Sequence, residues 1–146
     1  MRESIFQSIL AILRTCTKLQ GEDGTVRVYD YPQTAPAGYP YAVVSSESFE
    51  SSILDNARDS RKYIYKLQVV GEKFGDEGGM TQSDALAAMR ATEDAVVALF
   101  DADNNLSNSA VVRTLPMDAQ YGLTDNGARV VYTLRLSVEV MAEITY

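Results

Sequence analysis

The hydrophobic pattern is clearest at the end of the chain. Between Arg129 and Ile144, Val130, Tyr132, Leu134, Leu136, Val138 and Val140 alternate with Arg129, Thr133, Arg135, Ser137 and Glu139; Val131 is the one apolar intruder. A period of two means a β-strand, because successive side chains point to opposite faces. One face must lie on a core. The other carries Arg129, Arg135, Glu139 and Glu143 and meets water or a polar partner. One-sided strands suit antiparallel sheets. A straight strand of this length spans about 50 Å, so a bend, a bulge or a projecting end is expected.

The rest of the chain reads in order from the N-terminus. Ile5, Ile9, Ile12, Cys16 and Leu19 recur at helical spacing, with Phe6, Leu10 and Leu13 widening the stripe, which predicts an amphipathic helix over 3–19. Cys16 lies within that stripe and is expected to be a small buried hydrophobe. A turn at 20–24 precedes a short strand at 25–29. Three prolines and a glycine between residues 32 and 40 forbid regular structure there. Tyr29, Tyr31, Tyr39 and Tyr41 flank this segment, either as a sticky surface or as pins that hold the loop to the body.

Residues 41–46 read as a second strand, 48–56 as a short helical turn around Ile53 and Leu54, and 55–61 as a polar turn. Tyr63, Tyr65, Leu67 and Val69 then alternate with polar neighbours in a third strand. Residues 71–80 read as a flexible acidic loop. Thr81 with Asp84 resembles a capping box for a helix that runs to about Phe100 and buries Ala85, Leu86, Met89, Val96, Leu99 and Phe100. A fourth strand at 110–115 and a loop at 116–127, closed by Asn126-Gly127, lead to the final strand. The expected fold is therefore α+β: one domain over 1–146, with a mostly antiparallel sheet of about five strands. Two main helices pack on one face, in the order α-β-β-β-α-β-β.

Composition narrows the function. The chain has 146 residues, enough for a real core, and no apolar run approaches the ~18 residues of a membrane span. The N-terminal apolar run, Ile9 to Leu13, is too short for a signal peptide, so a start in the cytoplasm is expected. One cysteine excludes an internal disulfide framework. The net charge of −7 resides wholly in residues 74–146, which hold eleven acidic and four basic side chains. That balance argues against tight nucleic-acid binding, which draws on basic residues that displace counterions.

Candidate chemistry is sparse. The chain has no histidine, which removes Ser-His-Asp and Cys-His catalysis and the commonest metal ligand. Asp101, Asp103 and Asn105 match the first positions of a calcium loop, but Leu106 and Val112 stand where glycine and glutamate are required. The glycine-rich stretch 71–79 has neither a P-loop nor a dinucleotide spacing, and its Glu72, Asp76 and Glu77 would repel phosphate. No cofactor and no metal are expected.

The order of pieces resembles the tail terminator (tail-completion) proteins of long-tailed bacteriophages. The resemblance rests on the N-terminal helix, the Gly38-Tyr39-Pro40 lead into a strand, and the turn Asp55-Asn56-Ala57-Arg58-Asp59-Ser60-Arg61 feeding the strand Tyr63–Val69. It continues through the Gly- and charge-rich loop, the long helix Ser83–Phe100, Asp101–Leu106 and the long terminal strand. It implies a non-enzymatic virion protein, made in the host cytoplasm and placed at the head-proximal end of the tail. Such proteins form a hexameric ring that caps the tail tube, ends its polymerisation and joins the head connector. The partners implied are copies of the chain itself, the tail tube protein and a head-completion or connector protein, with DNA passing through unheld.

Flexibility and polarity, rather than resemblance, select the loops 71–79 and 116–127 as contact regions. The candidate interface residues are Phe74, Asp76, Glu77, Asp118, Tyr121 and Asp125, with Arg135 on the polar face of the terminal strand. Asp76, Glu77, Asp101, Asp103, Asp118 and Asp125 are candidates for an acidic lumen that keeps DNA from sticking. Two other readings stand beside this one: another phage neck or head-completion ring protein, and a small enzyme built on carboxylates such as Asp101 and Asp103.

Overall fold

The structure, a computed structural model, describes residues 2–21, 23–33, 37–53, 55, 57–74, 80–125 and 130–145. Helix α1 (Arg2–Leu13) and a 3₁₀ turn (Thr17–Leu19) precede β1 (Val28–Tyr29), β2 (Tyr41–Ile53) and β3 (Arg58–Phe74). Helix α2 (Gln82–Ala102), β4 (Val111–Asp125) and β5 (Val130–Thr145) complete the chain. The five strands form one sheet in the order β1-β2-β3-β5-β4. Only the β1–β2 pair is parallel. The α+β class, the element order and the two helices agree with the pattern read from the sequence.

β5 sits between β3 and β4 and sets the core register. Leu134, Leu136, Val138 and Val140 lie opposite Val69, Leu67, Tyr65 and Tyr63. Directly opposed residues share a face, and all eight are 3% exposed or less. Ile5, Ile9 and Leu13 of α1 and Met89, Val96 and Phe100 of α2 join them in one core. The Phe6 ring stacks on Tyr65 with centroids 6.0 Å apart. Each fully buried side chain of this kind contributes about 1.5–3 kcal/mol. β5 keeps an unbroken register; the bulges fall on its partners, between Val70 and Lys73 of β3 and at two places in β4. Gly71 lies at the first of these, where an added Cβ would meet Met89 Cε at 2.7 Å.

Helix α2 starts where the sequence places it, with the Asp84 N–H donating to Thr81 Oγ1 at 3.1 Å. Four expected elements differ. The first helix ends at Leu13 rather than Leu19. There the Thr15 and Cys16 N–H groups reach back three residues instead of four, to Ile12 and Leu13. The Thr15 hydroxyl also donates to the Ile12 carbonyl at 2.6 Å, a side-chain bond that competes with helix continuation. Cys16 and Leu19 still reach the core.

Residues 48–53 are strand, not a helical turn. Phe49 pairs with Tyr63 across the ladder, their rings stacked at 5.9 Å, and this cross-strand packing outweighs local preference. The third strand begins at Arg58 and runs to Phe74, through part of the expected polar turn and the first residues of the expected loop. Residues 116–125 continue β4 in place of a loop. Pro116 and Asp118, the latter at φ 56°, are absorbed at an edge bulge between Met117 and Gln120.

The polar face of the sheet is covered near β1 by tyrosines. Tyr41 lies opposite Val70, which lies opposite Thr133. The rings of Tyr39 and Tyr29 sit 5.6 and 5.9 Å from that of Tyr41. Three of the four tyrosines thus pin their segment to the body, while Tyr31 is 61% exposed. Arg27 reinforces the pin: its guanidinium pairs with Asp23 and lies so close to Gly38 that a Cβ there would meet Arg27 Cζ at 2.9 Å.

The register makes a direct test. Leu134 is fully buried and Arg135 is exposed on the opposite face. Leu134→Ala is expected to lower stability by about 2–5 kcal/mol, and Leu134→Asp to abolish folding. Arg135→Glu is expected to leave the thermal melt nearly unchanged. A larger loss for Arg135→Glu would place the strand one residue out of register.

Candidate assembly surfaces

The described residues hold no group of three or more Cys, Asp or Glu side chains placed to bind a metal. Asp103 Oδ1 instead accepts the Ser107 N–H at 3.0 Å and its Oδ2 the Ser107 hydroxyl at 2.7 Å, tying down the turn after α2. A cleft of about 70 Å³ between α2 and β3 is lined by Lys18, Val69, Gly71, Glu72, Ala85 and Met89, among others. Substrate pockets run to about 300–1,000 Å³. The features that stand out are surfaces and strand edges.

The first surface is an arm formed by the far halves of β2 and β3. Every β2 residue from Ser45 to Ile53 is exposed. Phe49 and Ile53, 50% and 82% exposed, lie on the face that the helices cover elsewhere. The turn that joins the strands is held by charge. Asp55 accepts the Ala57 N–H at 2.8 Å and Arg58 Nε at 2.8 Å, and Arg58 also reaches Glu143 of β5 at 3.3 Å. The Ala57 N–H, then Arg58, hold the Asp55 carboxyl below the usual carboxylate value. Asp55 and Glu143 together raise the Arg58 guanidinium above its ordinary value. Lys62 faces Glu50 at 3.4 Å and Lys66 faces Glu47 at 3.8 Å across the β2–β3 pair.

The second surface is the outer edge of β4. Among the described residues no strand pairs with that edge, and none pairs with the outer edge of β2, the side away from β3, beyond Val43. Val112, Leu115, Tyr121 and Leu123 are exposed along β4.

The interface residues expected from sequence divide among these places. Phe74 is half-buried at the end of β3, its ring stacked on Tyr132 at 5.1 Å, rather than on a free loop. Tyr121 is exposed but its hydroxyl donates to Glu93 of α2, so it belongs to a strand anchored on the helix. Asp118 is exposed at the β4 bulge, and Arg135 is exposed on the polar face in the row of Gln68 and Gln120. Val130 pairs with both Phe74 and Asp125, so the two expected loop regions meet at one end of the sheet. Asp76 and Glu77 lie outside the described residues, as does the Asp125 side chain.

Asp101 and Asp103 close the C-terminal end of α2, while Asp118 sits on β4. Sequence reasoning missed Phe49 and Ile53, although Phe49, Ser51 and Ile53 alternate with Glu50 and Ser52 at a strand period.

No protein-family model matches the chain, and no match was found among curated proteins. Among solved structures, the chain is similar to one described as the virion of a native gene transfer agent particle. The TM-score is 0.46 at 19% sequence identity, over 94% of this chain and 92% of that one.

The arm gives a pH-dependent prediction. Because the Asp55 carboxyl is lowered in the folded state, its contribution is complete above the ordinary carboxylate range and is lost as pH falls through the lowered value. Pepsin cleavage at the arm tip is expected to rise on acidification before the core unfolds. At neutral pH, Arg58→Ala is expected to speed proteolysis at the tip with little change in melting temperature. A lowered melt with unchanged tip cleavage would contradict the assignment.

Proposed function

We propose that this chain is a structural virion protein of the tail terminator type. Copies form a ring that caps the tail tube, ends tube polymerisation and joins the tail to the head connector. The observation that carries the reading is a sheet open at both edges among the described residues, with apolar side chains exposed along both. Open edges are liabilities in a monomer and natural contacts in an assembly. A closed ring uses the same two complementary patches in every copy, so growth stops. Six copies follow from the resemblance in the order of elements. The protein is not an enzyme in this reading and needs no cofactor.

The interface includes the 71–79 region, the β4 stretch within 116–127, and Arg135. The acidic second half of the chain serves passage of DNA, because lysine and arginine would hold it through counterion release. That field extends only roughly 8–10 Å at physiological salt, so it acts where carboxylates line a narrow channel. Asp76, Glu77, Asp118 and Asp125 are the carboxylates this reading assigns to that channel. A ring whose lumen is lined by Arg27, Arg58, Arg61 and Lys62 instead would overturn this part of the reading.

Negative-stain microscopy of the protein, alone and mixed with tail tubes, tests this reading. Six-fold rings at tube ends are expected. Twelve-fold rings that ignore tubes would instead identify a neck or head-completion protein. Deletion of 75–79 is expected to spare folding and impair ring formation or tail joining. Normal infectious particles with that deletion would remove the region from the interface.

A further inference from the structure

Four residues form one row across the polar face of the sheet. Glu50 of β2 lies opposite Lys62 of β3, Lys62 opposite Met141 of β5, and Met141 opposite Arg113 of β4. The row begins with a carboxylate on one open edge and ends with a guanidinium on the other. Glu50 has a side chain 74% exposed, and Arg113 is exposed and makes no ion pair among the described residues. We propose that the β4 edge at Arg113–Leu115 pairs with the β2 edge of a second copy of this chain, setting Arg113 beside Glu50 of that copy.

Strand direction permits this without turning the copy over. β4 is antiparallel to β5, β5 to β3, and β3 to β2, so β4 and β2 run in opposite senses. A like-oriented copy therefore presents its β2 antiparallel to β4, and the sheet continues with its helix face on the same side. Continued at the same level, Thr114 falls beside Phe49 of the next copy and Leu115 beside its Ser48. Glu50 of that copy then lies between its own Lys62 and the incoming Arg113.

The usable lengths also agree. β1 covers β2 only at Ala42 and Val43, leaving the far half of β2 open. On β4, Pro116 supplies no N–H, and the bulge with Asp118 in the left-handed conformation interrupts the edge beyond it. Between the bulge at Val111–Arg113 and Pro116, the regular part is Arg113–Leu115, at the same end of the sheet as Ser48–Ile53.

Charge selects this pairing over self-pairing. Two β2 edges brought together antiparallel about Ser48 and Phe49 would set Glu47 of each copy against Glu50 of the other. Like charges directly opposed across strands are destabilising. Two β4 edges would bring two copies of the Pro116–Asp118 interruption into one contact.

A disulfide trap tests the pairing, which deepens the ring reading but does not depend on six copies. Within one chain, residues 50 and 113 are three strand spacings apart, about 14 Å, too far for a disulfide. A chain carrying both Glu50→Cys and Arg113→Cys can therefore link only between copies, and Cys16, 3% exposed, stays out of the reaction. Oxidation at high concentration, with and without tail tubes, is expected to give linked multimers from the double variant and none from the single variants.

No linkage in either condition, or dimers from the single variants as the main product, would overturn the pairing. Rings seen by microscopy without linkage would sink the pairing and leave the ring reading standing. Linked multimers that grow into open fibres would do the reverse. Charge exchange gives a second test should the cysteines impair folding. Arg113→Glu alone is expected to lower multimer yield several-fold, and adding Glu50→Arg to restore it; no restoration counts against the pairing.

Discussion

A mismatch of length governs this fold. α2 has 21 residues and α1 has 12, so they reach about 31 and 18 Å. β3, β4 and β5 have 17, 15 and 16 residues, and at about 3.3 Å each they run to roughly 50 Å or more. Even laid along the strands, the helices cannot cover the apolar face from end to end. The eight residues from Leu134 to Val140 and Tyr63 to Val69 that they help to cover are nearly free of solvent. Towards β2 the same face continues to Phe49, opposite Tyr63, and to Ile53, which are exposed. The arm and the open β2 edge lie in that uncovered stretch, while Val111 at the start of β4 and Ala142 opposite it stay buried.

This division also explains what the sequence made legible. β5 could be read because one face is buried and the other is wet, so hydrophobicity alternates with the pleat. The start of α2 could be read because a threonine cap announces itself three residues before the aspartate. Where no core imposes a pattern, the reading failed. Residues 48–53 carry four polar side chains against Phe49 and Ile53, and nothing local shows that Tyr63, fourteen residues on, will pair with Phe49. Pro116 looked like a loop signal, but an edge strand tolerates proline beside a bulge. The premature end of α1 turned on one hydroxyl, that of Thr15, bonding to a backbone carbonyl.

The same logic applies to the surface. Sequence polarity drew attention to Phe74, Tyr121 and the acidic loops. Two of these side chains are tied into the body, through Tyr132 and Glu93. Among the described residues, the features without internal partners are the outer backbone edges of β2 and β4, which no residue type advertises. A chain with this arrangement is suited to assembly: its ion pairs at Lys62, Lys66 and Arg58 stiffen an arm that has little core of its own.

The central claim is that the uncovered end of the sheet is completed by other copies. Amide hydrogen exchange, measured residue by residue on the isolated chain and on tube-bound assemblies, tests it most directly. The outward-pointing amides of 44–53 and 113–115 are predicted to exchange fast in the isolated chain and to become strongly protected on assembly, while those of 134–140 are protected in both. Exchange at 44–53 and 113–115 that is unchanged by assembly would contradict the account.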